Sequence, residues 1–146
     1  HVVSSTILFG TGIGSAFYLL TTALSRDARI VAMVCRWVVR ADWLFTATTV
    51  VLQPLTGWWL AHLANLPLST PWVLASLVAY AAAIACWLPV VWLQMRMRDV
   101  AQQASKLGVL PPSFWRYFWA WFSLGVPALV LFLAIFWLMV AKPALW

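Results

Sequence analysis

The sequence predicts an all-α integral membrane protein, a four-helix bundle with Pro-kinked spans and short cytoplasmic helical extensions. Three observations carry this expectation. Of 146 residues, 65% are hydrophobic and only 8% are charged, far from the balance of soluble domains. Mean hydropathy is +0.94. Four stretches approach the roughly 20 apolar residues that a hydrocarbon core of about 30 Å requires of a helix. They run from Val2 to Leu24, Trp43 to Leu63, Pro71 to Leu93 and Phe114 to Val140. Residues 1–146 therefore form a single transmembrane domain, with no separate soluble unit and no internal repeat of 20 to 50 residues.

The sequence begins at His1 rather than Met, so an upstream piece is expected. His1 shares a helical face with Ser4, Ser5, Leu8, Gly12 and Ser15, and Gly10 with Gly14 forms a small-xxx-small pair suited to close helix contact. Next, "ARIVAMVCRWVVRAD" has no Gly or Pro and places Arg29, Arg36 and Arg40 on one face, which suits a helix lying at the headgroups. Span two carries Asp42, Thr46, Thr49, Gln53 and Thr56 within about 40° of a common direction at 100° per residue. Because hydrocarbon offers no hydrogen-bond partners, that stripe should face other helices. Asp42 is expected to pair with Arg40. His62 lies roughly opposite Asp42 on the same helix. Span three continues through "QMRMRDVAQQASKLG" until Gly108 stops it; Pro111 and Pro112 then break the chain, and Ser113 is placed to cap span four. Pro54, Pro89 and Pro127 interrupt spans two, three and four, freeing the carbonyls of Val50, Ala85 and Ser123.

Charge sets the expected orientation. Eight of the nine basic residues fall in the first and third loops or beside them, whereas "NLPLST" carries none. The positive-inside rule then puts loops one and three in the cytoplasm and both termini in the periplasm, across a bacterial inner membrane. Twelve Trp fit two interfacial belts, Trp58, Trp59, Trp72, Trp137 and Trp146 among those on the outer side. The net charge of +6 suits anionic lipid headgroups and not nucleic acid.

Chemical constellations are sparse. Cys35 and Cys86 lack CxxC spacing, and three acidic residues near one surface cannot form a carboxylate pair or di-metal site. No phosphate-cradling glycine loop or nucleophile with a nearby His is present. The candidates that remain are His1, His62 and Gln53. An inward imidazole among small residues leaves room for a porphyrin face, which makes His1 a candidate metal ligand and haem b the cofactor to consider. Gln53 and Pro54 form a second candidate region, for a lipid or quinone.

Over nearly its full length the chain resembles a family of predicted bacterial four-span membrane proteins of unassigned function, in the stretches "HVVSSTILFGTGIGSAF", "ADWLFTATTVVLQPLTG", "PVVWLQMRMRD" and "FWRYFWAWFSLGVPALVLFLAIFWLMV". That resemblance implies an inner-membrane location and four helices. The first span alone is loosely similar to the opening helix of copper-resistance membrane proteins and of the haem-binding bacterial protoporphyrinogen oxidase, which implies a haem-ligand role for His1. Two functions are expected from these residues. The first is a non-catalytic inner-membrane subunit packing against a larger membrane complex of respiratory or photosynthetic electron transfer. The second is a small b-type haem protein that passes electrons, with His1 as axial ligand and His62 or a partner's residue opposite.

Overall fold

A computed structural model describes residues 1–144; Trp146, assigned above to an interfacial belt, lies outside the described residues. The elements are α1 (Val2–Leu24), α2 (Ala28–Ala41), a π-helical turn (Asp42–Thr46), α3 (Ala47–Leu63), α4 (Pro71–Leu107) and α5 (Pro112–Ala141). The chain is all helical, with no strand among the described residues. Helices α1, α4 and α5 are long and apolar enough to cross a membrane. Helix α3 has 17 residues, fewer than the roughly 20 of a full span, although it continues without a break from the π turn and α2.

Helix α4 has 37 residues. At 1.5 Å per residue it rises about 55 Å, which exceeds a hydrocarbon core by about 25 Å. The excess is its polar second half, with Arg96, Arg98 and Lys106, and this segment packs beside α2. Gly108 ends it at φ 78° and returns its N–H to the Ala104 carbonyl at 2.9 Å, a left-handed stop that suits glycine. One boundary differs from expectation. Helix α5 starts at Pro112 with Pro111 as its N-cap, two residues ahead of the expected cap Ser113, because proline fits the first helical position where no N–H partner is needed. Asp27 caps α2 by accepting from the N–H groups of Arg29 and Ile30 at 2.9 and 3.3 Å.

The core lies at the arginine-bearing end. Leu19 and Ala23 of α1, Val31, Cys35 and Val38 of α2, Leu93 and Met97 of α4, and Phe114, Phe118 and Trp121 of α5 form one buried cluster. The amphipathic pattern of α2 explains its part: Val31, Cys35 and Val38 recur at helical spacing and face inward, while Arg29, Arg36 and Arg40 stay exposed. Phe118 anchors the cluster in ring contact with Phe114, Trp115, Trp119 and Trp121. Arginines and tryptophans pair around it, with Arg26 over Trp115, Arg40 over Trp37 and Arg96 over Trp92 at 5.9, 5.1 and 5.2 Å. At the opposite end packing is thin. Helix α3 buries only Thr49 and Ala61, and α1 meets α5 there through an edge-on contact of Phe9 with Phe136 at 5.1 Å.

Candidate functional site

Of the three residues nominated from sequence, the structure brings two together. At the thinly packed end, Ser4 Oγ donates to Gln53 Oε1 at 2.6 Å and to the His1 carbonyl at 2.9 Å, one proton shared between two acceptors. His1 Nδ1 lies 2.9 Å from Thr56 Oγ1. The hydroxyl of Thr56 also lies 2.7 Å from the Leu52 carbonyl, and the tautomer with the proton on Nδ1 satisfies both contacts. In a neutral imidazole this leaves Nε2 with a bare lone pair.

Gly57 allows the close approach. A Cβ built there would come within 3.2 Å of His1 Cε1, so the imidazole rests on bare helix surface, where a methyl asks a small shift of the ring and a larger side chain would take its place. Gly10 and Gly14 are the pair whose spacing suggests close helix approach, yet a Cβ on either meets nothing within 4 Å. The glycine used for contact lies on α3, opposite His1. Of the other residues expected on the inward face of α1, Ser4, Leu8 and Ser15 are buried, Ser5 is half-buried and Gly12 is exposed.

Helix α3 runs on through Pro54, whose missing N–H frees the Val50 carbonyl. Tyr80 of α4 fills the gap, its hydroxyl donating to that carbonyl at 2.6 Å. The sequence identifies the orphan acceptor but not the donor; a Tyr about two turns into the mostly aliphatic stretch "VLASLVAYAAAIA" is the one signal it offers. His62 takes no part. It is exposed and stacks on Trp58 at 6.0 Å, and nine residues beyond Gln53 it emerges about 180° around α3. Among the described residues there is no cluster of three or more His, Cys, Asp or Glu placed to hold a metal.

The polar stripe of span two divides. Asp42 and Thr46 line a cleft shared with α4 and α5, whereas Gln53 and Thr56 turn to α1. The π turn separates them: Ala47 N–H bonds the Asp42 carbonyl five residues back, and this extra residue rotates the whole of α3 by about one position relative to a regular helix. The expected ion pair of Asp42 with Arg40 does not form. Asp42 is buried and accepts from Thr46 Oγ1 at 3.0 Å, while Arg40 lies over Trp37. Among the described residues the ion pair that does form is Arg98 with Asp99, at 2.8 Å. On the outer surface of α2 and α4, Arg29 and Arg36 border a polar depression with Gln102 and Ser105.

With the geometry in place, comparison with known proteins adds one finding. A family model described as predicted integral membrane protein (DUF2269) matches residues 1–143. The chain belongs to this family. No curated protein and no solved structure matches it. Membership agrees with the all-helical, apolar architecture, and the family's function is unassigned.

Proposed function

We propose that the protein is a non-catalytic inner-membrane subunit that docks on a larger membrane complex of respiratory or photosynthetic electron transfer. The observation that supports this reading is the imbalance of packing along the bundle. One end holds a dry aromatic core, whereas α3 at the other end leaves Leu55, Trp58, Trp59, Leu60 and Leu63 exposed and is held by a few polar bonds. In lipid, helices associate through close packing and interhelical hydrogen bonds, so such a face suits a partner helix. In this reading the five π-helical and seventeen α-helical residues of Asp42 to Leu63 together make the fourth span. The arginine end is cytoplasmic, both termini are periplasmic, and Arg29 and Arg36 contact anionic lipid headgroups.

Mild-detergent extraction of native membranes, followed by size separation, tests it. Migration well above the 16.4 kDa of the chain, together with a defined partner, is expected. Migration alone as a monomer overturns the reading.

One observation favours a second reading, haem b ligation by His1. Thr56 holds Nδ1 and leaves Nε2 free, the arrangement that orients imidazole ligands of metals. Since His62 emerges on the far side of α3, the second axial ligand would come from a partner. A Soret band lost in His1→Ala supports this reading, and a colourless preparation from haem-sufficient cells overturns it.

A further inference from the structure

At the arginine-bearing end, Arg29 and Arg36 of α2 wall a surface depression whose far side is Gln102 and Ser105 of α4. The two arginines are two turns apart on one face of α2, about 10 Å along its axis. Between them Ala32, only 4% exposed, lines the floor, and α4 buries Ala101 and Ala104 against the same helix pair. Small residues let the two backbones approach closely. The long side chains then rise around a floor of protein.

The two guanidiniums are left without a partner. Arg26, Arg40 and Arg96 lie over tryptophan rings, and Arg98 holds Asp99. Among the described residues Arg29 and Arg36 have neither an ion pair nor a ring contact. The nearby acids are engaged elsewhere: Asp27 accepts from the backbone N–H groups of Arg29 and Ile30, and Asp99 takes two bonds from Arg98. Ser105 Oγ donates to the Gln102 carbonyl at 2.7 Å, whereas no hydrogen bond among the described residues holds the Gln102 side chain. Two forks of N–H donors and one free amide therefore border the same space. Such a set selects an anion with more than two oxygens. A carboxylate has two, and one guanidinium takes both; a phosphate offers a further edge to a second guanidinium and an oxygen to an amide.

We propose that this depression binds a phosphate group, clamped between Arg29 and Arg36 with the Gln102 amide as third donor. The proposal rests on the headgroup contact read for these two arginines and sharpens it from diffuse attraction to one built site. Height along α4 leaves two sources of phosphate. A span of about 20 residues from Pro71 ends near Val90, and Gln102 lies about a dozen residues further. That is about 18 Å along an upright helix, beyond a headgroup layer of about 5–8 Å. An anionic lipid reaches the site where the bundle tilts, and a dissolved phosphate ester meets it directly.

The test uses the full chain in phosphatidylcholine nanodiscs, in two arms. In one, phosphatidylglycerol is added to the disc and the lipids retained by the chain are counted by native mass spectrometry. In the other, glycerol phosphate is titrated by calorimetry. Saturable uptake of one equivalent is expected in at least one arm; the first identifies a lipid, and the second alone keeps the site and removes the headgroup contact. Arg29→Gln and Arg36→Gln should each weaken that binding about fivefold, the upper end for one exposed charge pair. Gln102→Leu should weaken it with no change of charge. Lys106→Gln, which removes an equal charge outside the depression, should change it less than about twofold. All four side chains are exposed, so the variants should keep the fold, and circular dichroism checks this. Absence of saturable binding in both arms overturns the proposal, as does acetate binding as tightly as glycerol phosphate or an unchanged affinity in Gln102→Leu. Equal losses in Arg36→Gln and Lys106→Gln also overturn it, and leave the diffuse headgroup contact standing. Should one variant fail to fold, the others and the acetate comparison decide.

Discussion

Replacing Tyr80 by Phe removes the hydroxyl that reaches the Val50 carbonyl at 2.6 Å and keeps the ring. Because Pro54 has no N–H to offer, the carbonyl then loses its interhelical donor inside the bundle. Hydrogen bonds between membrane helices average about 0.6 kcal/mol and reach about 1.7, and an orphaned buried acceptor adds a penalty of about 1–3 kcal/mol. A loss of about 1.5 kcal/mol is expected, roughly a tenfold change in the unfolding equilibrium. The assay is SDS-driven unfolding in mixed micelles, followed by far-ultraviolet circular dichroism. The decisive measurement repeats the substitution in a Pro54→Ala background. There the backbone N–H at position 54 reaches the Val50 carbonyl, the hydroxyl becomes redundant, and the loss should shrink to a few tenths of a kcal/mol. Equal losses in the two backgrounds would refute the assignment of Tyr80 as the replacement donor.

Three further outcomes are expected. Gly57→Ala needs only a small turn of the His1 ring, given the 3.2 Å approach, whereas Gly57→Leu should push α1 from α3 and suppress oxidative crosslinking of a Ser4→Cys, Gln53→Cys pair; efficient crosslinking in that background would contradict the packing. Phe118→Ala, at a side chain with no exposure, should destabilise by about 3–5 kcal/mol in the same SDS titration, and a change below about 1 kcal/mol would remove it from the core. Burial pushes the Cys35 thiol from 9.0 up to about 12, so maleimide at pH 8 should label it only after unfolding. Its folded form keeps the proton longer than the unfolded form, so this contribution to stability is complete below pH 9 and declines between pH 9 and about 12.

The parts of the fold visible in the sequence are those set by strong local signals. Val2 to Leu24 is one apolar run and one helix with the same limits, and the α4 stop at Gly108 follows from glycine's tolerance of positive φ. What sequence could not supply is partner choice across helices. Nothing local in "QPLTGWW" indicates that Gly57 carries an imidazole from 56 residues earlier, or that Tyr80 completes a carbonyl 30 residues before it. Asp42 shows the same limit in another form. Its sequence neighbour Arg40 suggests an ion pair, but two residues apart on a helix are not neighbours in space, and the nearby aromatic face of Trp37 takes the guanidinium instead.

The π turn is the least visible feature and has the largest effect on the candidate sites. Counted at 100° per residue, Asp42, Thr46, Thr49, Gln53 and Thr56 make one stripe, and one stripe can serve one neighbour. With a single extra residue accommodated at Asp42–Thr46, its first members join Gln94 in the cleft while Gln53 and Thr56 meet Ser4 and His1. A regular helix through this segment would turn both groups toward one side. Either Asp42 and Thr46 would leave the cleft they share with Gln94, or α1 would lose the polar bonds that hold it to α3. Deleting one residue within the turn should therefore return α3 to the register of a regular helix and suppress crosslinking between positions 4 and 53. Undiminished crosslinking after that deletion would mean that the π turn does not set the direction in which Gln53 and Thr56 face.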